Sequence, residues 1–179
     1  MRVISGTAKG RKLKTPKGYE VRPTSEMIKE SIFSAIQFEI SGKRVLDLFA
    51  GTGQMGIEAL SRGASEAVFI DSSKSSALLV KENIEACKFN ARVINTDAIS
   101  YLKQAEKFDI IFIDPPYDTD LAEKSLEIIQ NIDLLCDGGI IICETYKEKD
   151  LVLVRDDYEF MSVKIHGRIK ITRIVRNTK

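Results

Sequence analysis

Asp114-Pro115-Pro116-Tyr117 stands at the end of the apolar run "FDIIFI" and offers a carboxylate, a backbone stripped of two amide donors by proline, and an aromatic ring. Methyl transfer to an amine conjugated with a ring suits this set. Such a nitrogen is a poor nucleophile because its lone pair is delocalised. Hydrogen bonds from its N–H groups to Asp114 and to the Pro115 carbonyl would turn the lone pair toward an electrophilic methyl group. Tyr117 is placed to stack on a target base, which must leave its helix or loop to reach a crevice. The plainer reading is a strand ending in a proline turn, which accounts for many isolated Asp-Pro pairs.

A second set of candidates lies upstream. "LDLFAGTGQMGIEAL", residues 46 to 60, runs from an apolar stretch into a glycine-rich turn and matches G-x-G-x-x-G at Gly51, Gly53 and Gly56. In a strand-to-helix turn, Gly51 and Gly53 permit positive φ and let a ligand approach backbone that a Cβ would block. Gly56 falls inside the following helix and reads as a packing glycine whose agreement with the pattern is incidental. Asp71 stands 20 residues after Gly51, at the end of "AVFID", where a carboxylate accepts hydrogen bonds from both hydroxyls of a ribose. To this point NAD and S-adenosylmethionine are equally served. Charge separates them, because a dinucleotide brings a pyrophosphate to the turn and an acid aimed at the same space opposes it. Asp47 suits instead the cationic ammonium of a methionine moiety; its plainer reading is hydrogen bonding to amides of the glycine turn. Asp97 in "VINTDA" is placed to accept from an adenine amino group, and equally to cap the helix "AISYLKQ", two compatible roles. Phe49, Ala50, Thr52, Ser72 and Ala98 are the expected neighbours in such a pocket.

These residues need elements to hold them together. Short apolar runs at 45–49, 67–70, 92–95, 109–113 and 140–143 predict strands. The stretches between carry helical spacing, such as Ala77, Val80, Ile84 and Cys87, or Ala122, Leu126 and Ile129. This alternation, with strands apolar on both faces, predicts an α/β fold with a parallel sheet covered by helices and a ligand crevice at the C-terminal strand ends. Every acid named above falls at such an end. Before the first strand, Pro23 disfavours helix on its N-terminal side, Thr24 is the expected N-cap, and Ile28, Ile32, Ala35 and Ile36 share one face. After the last, Val163, Ile165, Ile169, Ile171 and Ile174 alternate around His166-Gly167 and predict an antiparallel hairpin at the sheet edge. His166, the only histidine, reads as a turn residue rather than an acid or base.

A chain of 179 residues, 44% hydrophobic and 30% charged, fits one globular domain. It shows no signal-like start and no apolar run of bilayer length, so a cytoplasmic protein without a membrane partner is expected. Cys87, Cys136 and Cys143 are too scattered for a zinc site or a disulfide framework; buried thiols and no metal are expected. The net charge of +1 conceals a strong asymmetry. Residues 1–22 carry seven cations against one acid, and residues 164–179 carry six cations and no acid, which leaves the middle acidic by eleven. An enzyme acting on nucleic acid needs such a basic footprint beside its site.

Asp114 to Tyr117 resemble the (Asp/Asn)-Pro-Pro-(Tyr/Phe) signature of S-adenosylmethionine-dependent amino-methyltransferases. "RVISGTAKGRKLKTP", "VRPTSEMIKESIF", "LDLFAGTGQMGIEALSRGA" and "FIDPPY", in that order, resemble the bacterial 16S ribosomal RNA guanine-N2 methyltransferase family, often called RsmD. The resemblance implies a Rossmann-like class I methyltransferase fold: a seven-stranded, mostly parallel sheet with an antiparallel C-terminal strand and a small N-terminal β-rich extension. It implies a division into an RNA-contacting extension, 1–22, and a methyltransferase domain, 23–179. It further implies that Asp47, Gly51 and Gly53 contact the cofactor, Asp71 its ribose and Asp97 its adenine, while Asp114, Pro115, Pro116 and Tyr117 hold the guanine. Arg2, Lys9, Arg11, Lys12 and Arg22 would grip 16S rRNA, free or in an assembling small subunit, and a monomer is expected. Because the tetrad recognises an amine rather than a particular base, DNA adenine or cytosine and a protein glutamine stay open as substrates. From other classes, an NAD-dependent oxidoreductase and a non-catalytic RNA-binding module remain as remote alternatives.

Overall fold

A computed structural model describes residues 1–16 and 23–178. After helix α1 (Pro23–Ala35), strands and helices alternate: β1 (Arg44–Asp47), α2 (Gln54–Ser61), β2 (Glu66–Asp71), α3 (Lys74–Ala86), β3 (Arg92–Asn95), α4 (Ala98–Leu102), β4 (Phe108–Ile113) and α5 (Leu121–Asn131). Three strands close the chain, β5 (Leu135–Tyr146), β6 (Tyr158–His166) and β7 (Ile169–Arg176). They form one seven-stranded sheet in the order β3-β2-β1-β4-β5-β7-β6. Strands β1 to β5 pair in parallel, and β7 runs antiparallel to both β5 and β6. The order reverses between β1 and β4, which opens a crevice at their C-terminal ends.

The alternation of side chains along the strands divides the core in two. Val45, Phe69, Ile110, Phe112 and Ile142 pack beneath α1, α2 and α3, whereas Leu46, Val68, Ile111, Ile113 and Ile141 pack beneath α4 and α5. Burying each such side chain stabilises the fold by about 1.5–3 kcal/mol. A polar residue inside these runs, such as Asp47, therefore needs a reason to be there.

Several sequence-based expectations shift. Strand β5 covers twelve residues, well past the apolar run at 140–143. The ladder with β7 continues through Glu144↔Ile171, Thr145↔Lys170 and Tyr146↔Ile169, so pairing extends the strand where hydrophobicity has already stopped. Helix α1 begins at Pro23, which places Thr24 within its first turn instead of at its N-cap. Ile28, Ile32 and Ile36 are buried as expected, but Ala35 is exposed, and Phe33 and Lys29 complete the buried face.

Residues 1–16 are less β-rich than the resemblance implies. They form one tight loop-back with a single bridge, Arg2↔Lys12, closed by Val3 N–H to Arg11 O and Leu13 N–H to Met1 O. Val3, Ala8 and Leu13 belong to the core beneath α1, α2 and α3. The fully buried Glu58 carboxylate of α2 accepts the Ile4 and Ser5 amides and the Arg62 Nε–H. Lys29 of α1 donates to the Arg2 carbonyl and lies 3.7 Å from Glu58. Burial lowers the Lys29 pKa, and the Glu58 charge opposes that shift. This segment is thus fastened to the domain by buried charge and by packing. Arg22 lies outside the described residues.

Candidate active site

The glycine turn is anchored on both sides, by Leu48 N–H to Phe112 O of β4 and by Ala50 N–H to Ile70 O of β2. Gly51 and Gly53 adopt φ of +55° and +79°, where an L side chain is strained. A Cβ on Gly51 would meet nothing within 4 Å, so packing does not exclude a side chain there; the backbone conformation and open access to the main chain do. At Gly56 the reverse holds. A Cβ would stand 2.3 Å from the Phe69 ring, which makes Gly56 the packing glycine expected from its place in α2.

The acids gather around this turn. Buried Asp47 accepts the Gly56 amide at 3.0 Å with one oxygen, an amide in the first turn of α2 and not in the glycine turn itself. Burial pushes its carboxyl up to about 7; the Gly56 amide opposes the shift and the nearby Asp71 charge adds to it. Asp71 accepts the Gly51 amide with one oxygen and the Ser73 amide with the other, each at 2.8 Å. It thereby ties the glycine turn to the entry of α3. Each of these oxygens keeps a second lone pair that a hydroxyl donor can use. Asp97 caps α4 by accepting the Ser100 amide and is exposed beside Ala98. Of the expected pocket neighbours, Ala50 is buried, Phe49 and Thr52 are half-buried and Ser72 is exposed.

Strand register places the tetrad next to these acids. Asp47 pairs with Phe112, and two residues farther along β4 the chain reaches Asp114 on the same sheet face. Asp114 is exposed at the C-terminal end of β4, with protein atoms gathered around its carboxyl. Its carboxyl is held well above the usual range by desolvation first, then by the charges of Glu144 and Asp47. Pro115 is buried and Pro116 exposed. Tyr117 donates its hydroxyl to the Glu144 carboxylate, and its ring stacks on Tyr146 at 4.6 Å between centroids. One face of the ring expected to meet a base is therefore covered by the extended end of β5. Arg168 stacks its guanidinium over Tyr146 in turn.

Glu144 and Tyr146 escaped the sequence reading. Their signal was present in "ICETY": an acid directly after a buried strand, the same placement that marked Asp47, Asp71 and Asp114. His166 also differs from expectation. It ends β6 instead of lying in the turn. Burial raises the Glu144 carboxyl above its usual range, and the Tyr117 hydroxyl and then His166 oppose that shift.

The two basic ends separate in character. In the C-terminal stretch Arg173 binds the Ala35 carbonyl and Glu39, Arg176 is buried against Asp133, Asp137 and Asp157, and Lys170 binds the Lys149 carbonyl. Those three cations hold the fold together and are not a footprint; Lys164 and Arg168 are exposed. At the other end Lys9, Arg11 and Lys12 are exposed, and Arg2 is 67% exposed with Glu26 at 3.9 Å. Arg2 and Lys9 line a groove of about 380 Å³ with Glu26, Met27 and Glu30. Cys87 and Cys143 are buried free thiols and Cys136 is half-buried. Among the described residues no acid, histidine or cysteine cluster is arranged for a metal, and no helix is long and apolar enough to cross a membrane.

Comparison with known proteins places this geometry among relatives. Residues 1–175 match the family described as conserved hypothetical protein 95. YlbH of Bacillus subtilis, whose name provisionally assigns it to the rRNA methyltransferases, is 41% identical over 157 residues, covering 84% of this chain and 85% of that protein. Ribosomal RNA small subunit methyltransferase D of Haemophilus influenzae is 35% identical over 158 residues, covering 85% of this chain and 82% of that one. The solved structure of yhhF from Escherichia coli superposes with a TM-score of 0.89 at 30% identity, covering 100% of this chain and 99% of that one.

Proposed function

We propose, from the premise that this chain belongs to the RsmD family, the family described as conserved hypothetical protein 95, that it transfers a methyl group from S-adenosylmethionine to the N2 amine of a guanine in 16S ribosomal RNA. The observation that carries this reading is the placement of Asp114-Pro115 beside the Gly51 turn and on the same sheet face as buried Asp47. The residues fit the cofactor. Asp47 is a buried acid whose ionisation is suppressed by desolvation, so an ammonium group restores what burial removes. Gly51 presents backbone without steric cover, and Asp71 and Asp97 stand at the ends that would meet ribose and adenine.

When bound, S-adenosylmethionine supplies a methyl group made electrophilic by its sulfonium. Asp114 and the Pro115 carbonyl orient the amine by accepting its N–H groups, so that the nitrogen lone pair faces the cofactor side of the crevice. The carboxylate also stabilises the positive charge that grows on nitrogen, and it is the first acceptor for the proton that the methylated amine gives up. Tyr117, fixed between Glu144 and Tyr146, forms a rigid aromatic wall beside that amine. Lys9, Arg11 and Lys12, with Arg2, provide the exposed charge that holds RNA phosphates near the crevice. The enzyme acts as a cytoplasmic monomer on rRNA that is free or being assembled into the small subunit.

Labelled S-adenosylmethionine offered with small-subunit RNA, subunit particles, DNA and protein tests this reading. Digestion of the product is expected to yield labelled N2-methylguanosine, and label only in adenine, cytosine or glutamine overturns it. Asp114→Ala is expected to lower turnover by at least about 100-fold, with the cofactor dissociation constant held within several-fold. Equal loss of both would move Asp114 into the cofactor pocket.

A further inference from the structure

We infer that Glu144 reads the base: its carboxylate accepts the N1–H of the guanine whose N2 amine Asp114 and Pro115 hold. This inference rests on the reading given under Proposed function and explains what that reading leaves open, since the tetrad recognises an amine without choosing among bases.

Three observations lead to Glu144. First, β4 and β5 are in register at Ile113↔Cys143, so the next residues, Asp114 and Glu144, stand side by side at the mouth of the crevice. Both fall on the sheet face that carries Asp47, opposite to Ile113 and Cys143, which point into the core beneath α5. Second, Glu144 is locally held. One oxygen takes the Tyr117 hydroxyl, and the Tyr117 ring is braced on Tyr146 two residues along the same strand. An ionised carboxylate keeps further acceptor positions beyond that one bond. Third, two carboxylates on adjacent strands repel each other, an arrangement that is costly unless they share a partner rich in donors.

Base chemistry identifies that partner. Guanine presents N1–H directly beside its exocyclic N2 amine, a continuous row of donors that two adjacent carboxylates can accept. The ring nitrogen flanking the amine of adenine or of cytosine carries a lone pair instead. Facing Glu144, that lone pair would lose its own hydrogen bond and repel the carboxylate. A site built to accept an N–H rejects an analogue lacking it because buried polar groups are left unmatched. The second acid thus selects against the wrong amines as well as for the right one.

The test uses RNA with guanine or 2,6-diaminopurine at the position that labelling identifies. Diaminopurine keeps the amine at C2 and replaces N1–H with a lone pair. The wild-type protein is expected to prefer guanine in kcat/KM by at least about 100-fold. Glu144→Gln, whose amide can donate to that lone pair, is expected to narrow the preference at least tenfold with cofactor affinity unchanged. An unchanged preference in Glu144→Gln overturns the inference. So does an equal narrowing in Tyr117→Phe, which would mean that Glu144 acts only by holding Tyr117. Wild-type protein with 1-methylguanine at the target gives a measurement that needs no variant: reaction is expected to be lost, and retained reaction overturns the inference. Failure of the wild-type protein to methylate guanine RNA at all would instead remove the parent reading.

Discussion

Asp47 shows what a single side chain gives up for a site. A carboxyl at about 7 in the fold and near 3.8 when unfolded makes the native state bind the extra proton. Its contribution to stability is fully present below about 3.8 and is lost as pH rises through 7. By pH 8 the loss is on the order of 4 kcal/mol. Asp47→Asn keeps an acceptor for the Gly56 amide and cannot ionise. Thermal unfolding at pH 5 and pH 8 is therefore expected to show the variant gaining on the wild type as pH rises, while its S-adenosylmethionine affinity falls. A gap that stays constant between the two pH values would mean that Asp47 does not ionise in the fold. Stability given up at a binding position is the usual trade between a stable and a functional pocket.

At the scale of elements, helix α2 joins the site to the core. Its Gly56 amide holds Asp47 and its Glu58 holds the N-terminal segment, so the packing of α2 on β2 controls both. Gly56→Ala places a methyl group against the Phe69 ring, and such overpacking typically costs about 1–3 kcal/mol. Urea denaturation is expected to show that loss, with recovery when Phe69→Leu is added to make room. A Gly56→Ala protein as stable as the wild type would show that α2 can shift away from β2. Some of this element was legible beforehand: the strand-turn-helix pattern, and Gly63 as its end. Gly63 is the left-handed residue of a Schellman cap, with Ala64 N–H to Ala59 O and Gly63 N–H to Leu60 O. The long-range partners of Glu58 were not legible, because Lys29 and the Ile4 and Ser5 amides lie far away in the chain.

Across the whole molecule, the two basic ends looked alike in composition and differ in use. Arg173 and Arg176 are committed to internal acids and carbonyls, whereas Lys9, Arg11 and Lys12 face outward on a segment fastened beside the glycine turn, where Thr52 meets Met1. Replacing Lys9, Arg11 and Lys12 together by Gln is expected to weaken RNA binding and reduce the salt slope of log K by about 2–3, with little change in unfolding. Arg176→Gln is expected to do the opposite, lowering stability while leaving the slope in place. An unchanged slope in the triple variant would reduce the N-terminal charges to ordinary solvated lysines and arginine.

The sequence by itself determined the alternating β and α elements, the glycine turn, the acids at strand ends and the Asp-Pro-Pro-Tyr signature. Each of these is a local pattern of hydrophobic period or backbone conformation, written within a few neighbouring residues. Only the tertiary structure decided that β5 continues to Tyr146, that Glu144 stands beside Asp114, that Tyr117 stacks on Tyr146, and which cations are consumed inside the fold. Those facts depend on strand register and on pairs separated by many residues, and burial makes charge depend on its surroundings. Hydrophobic spacing along one strand carries no record of what its neighbour places at the same height.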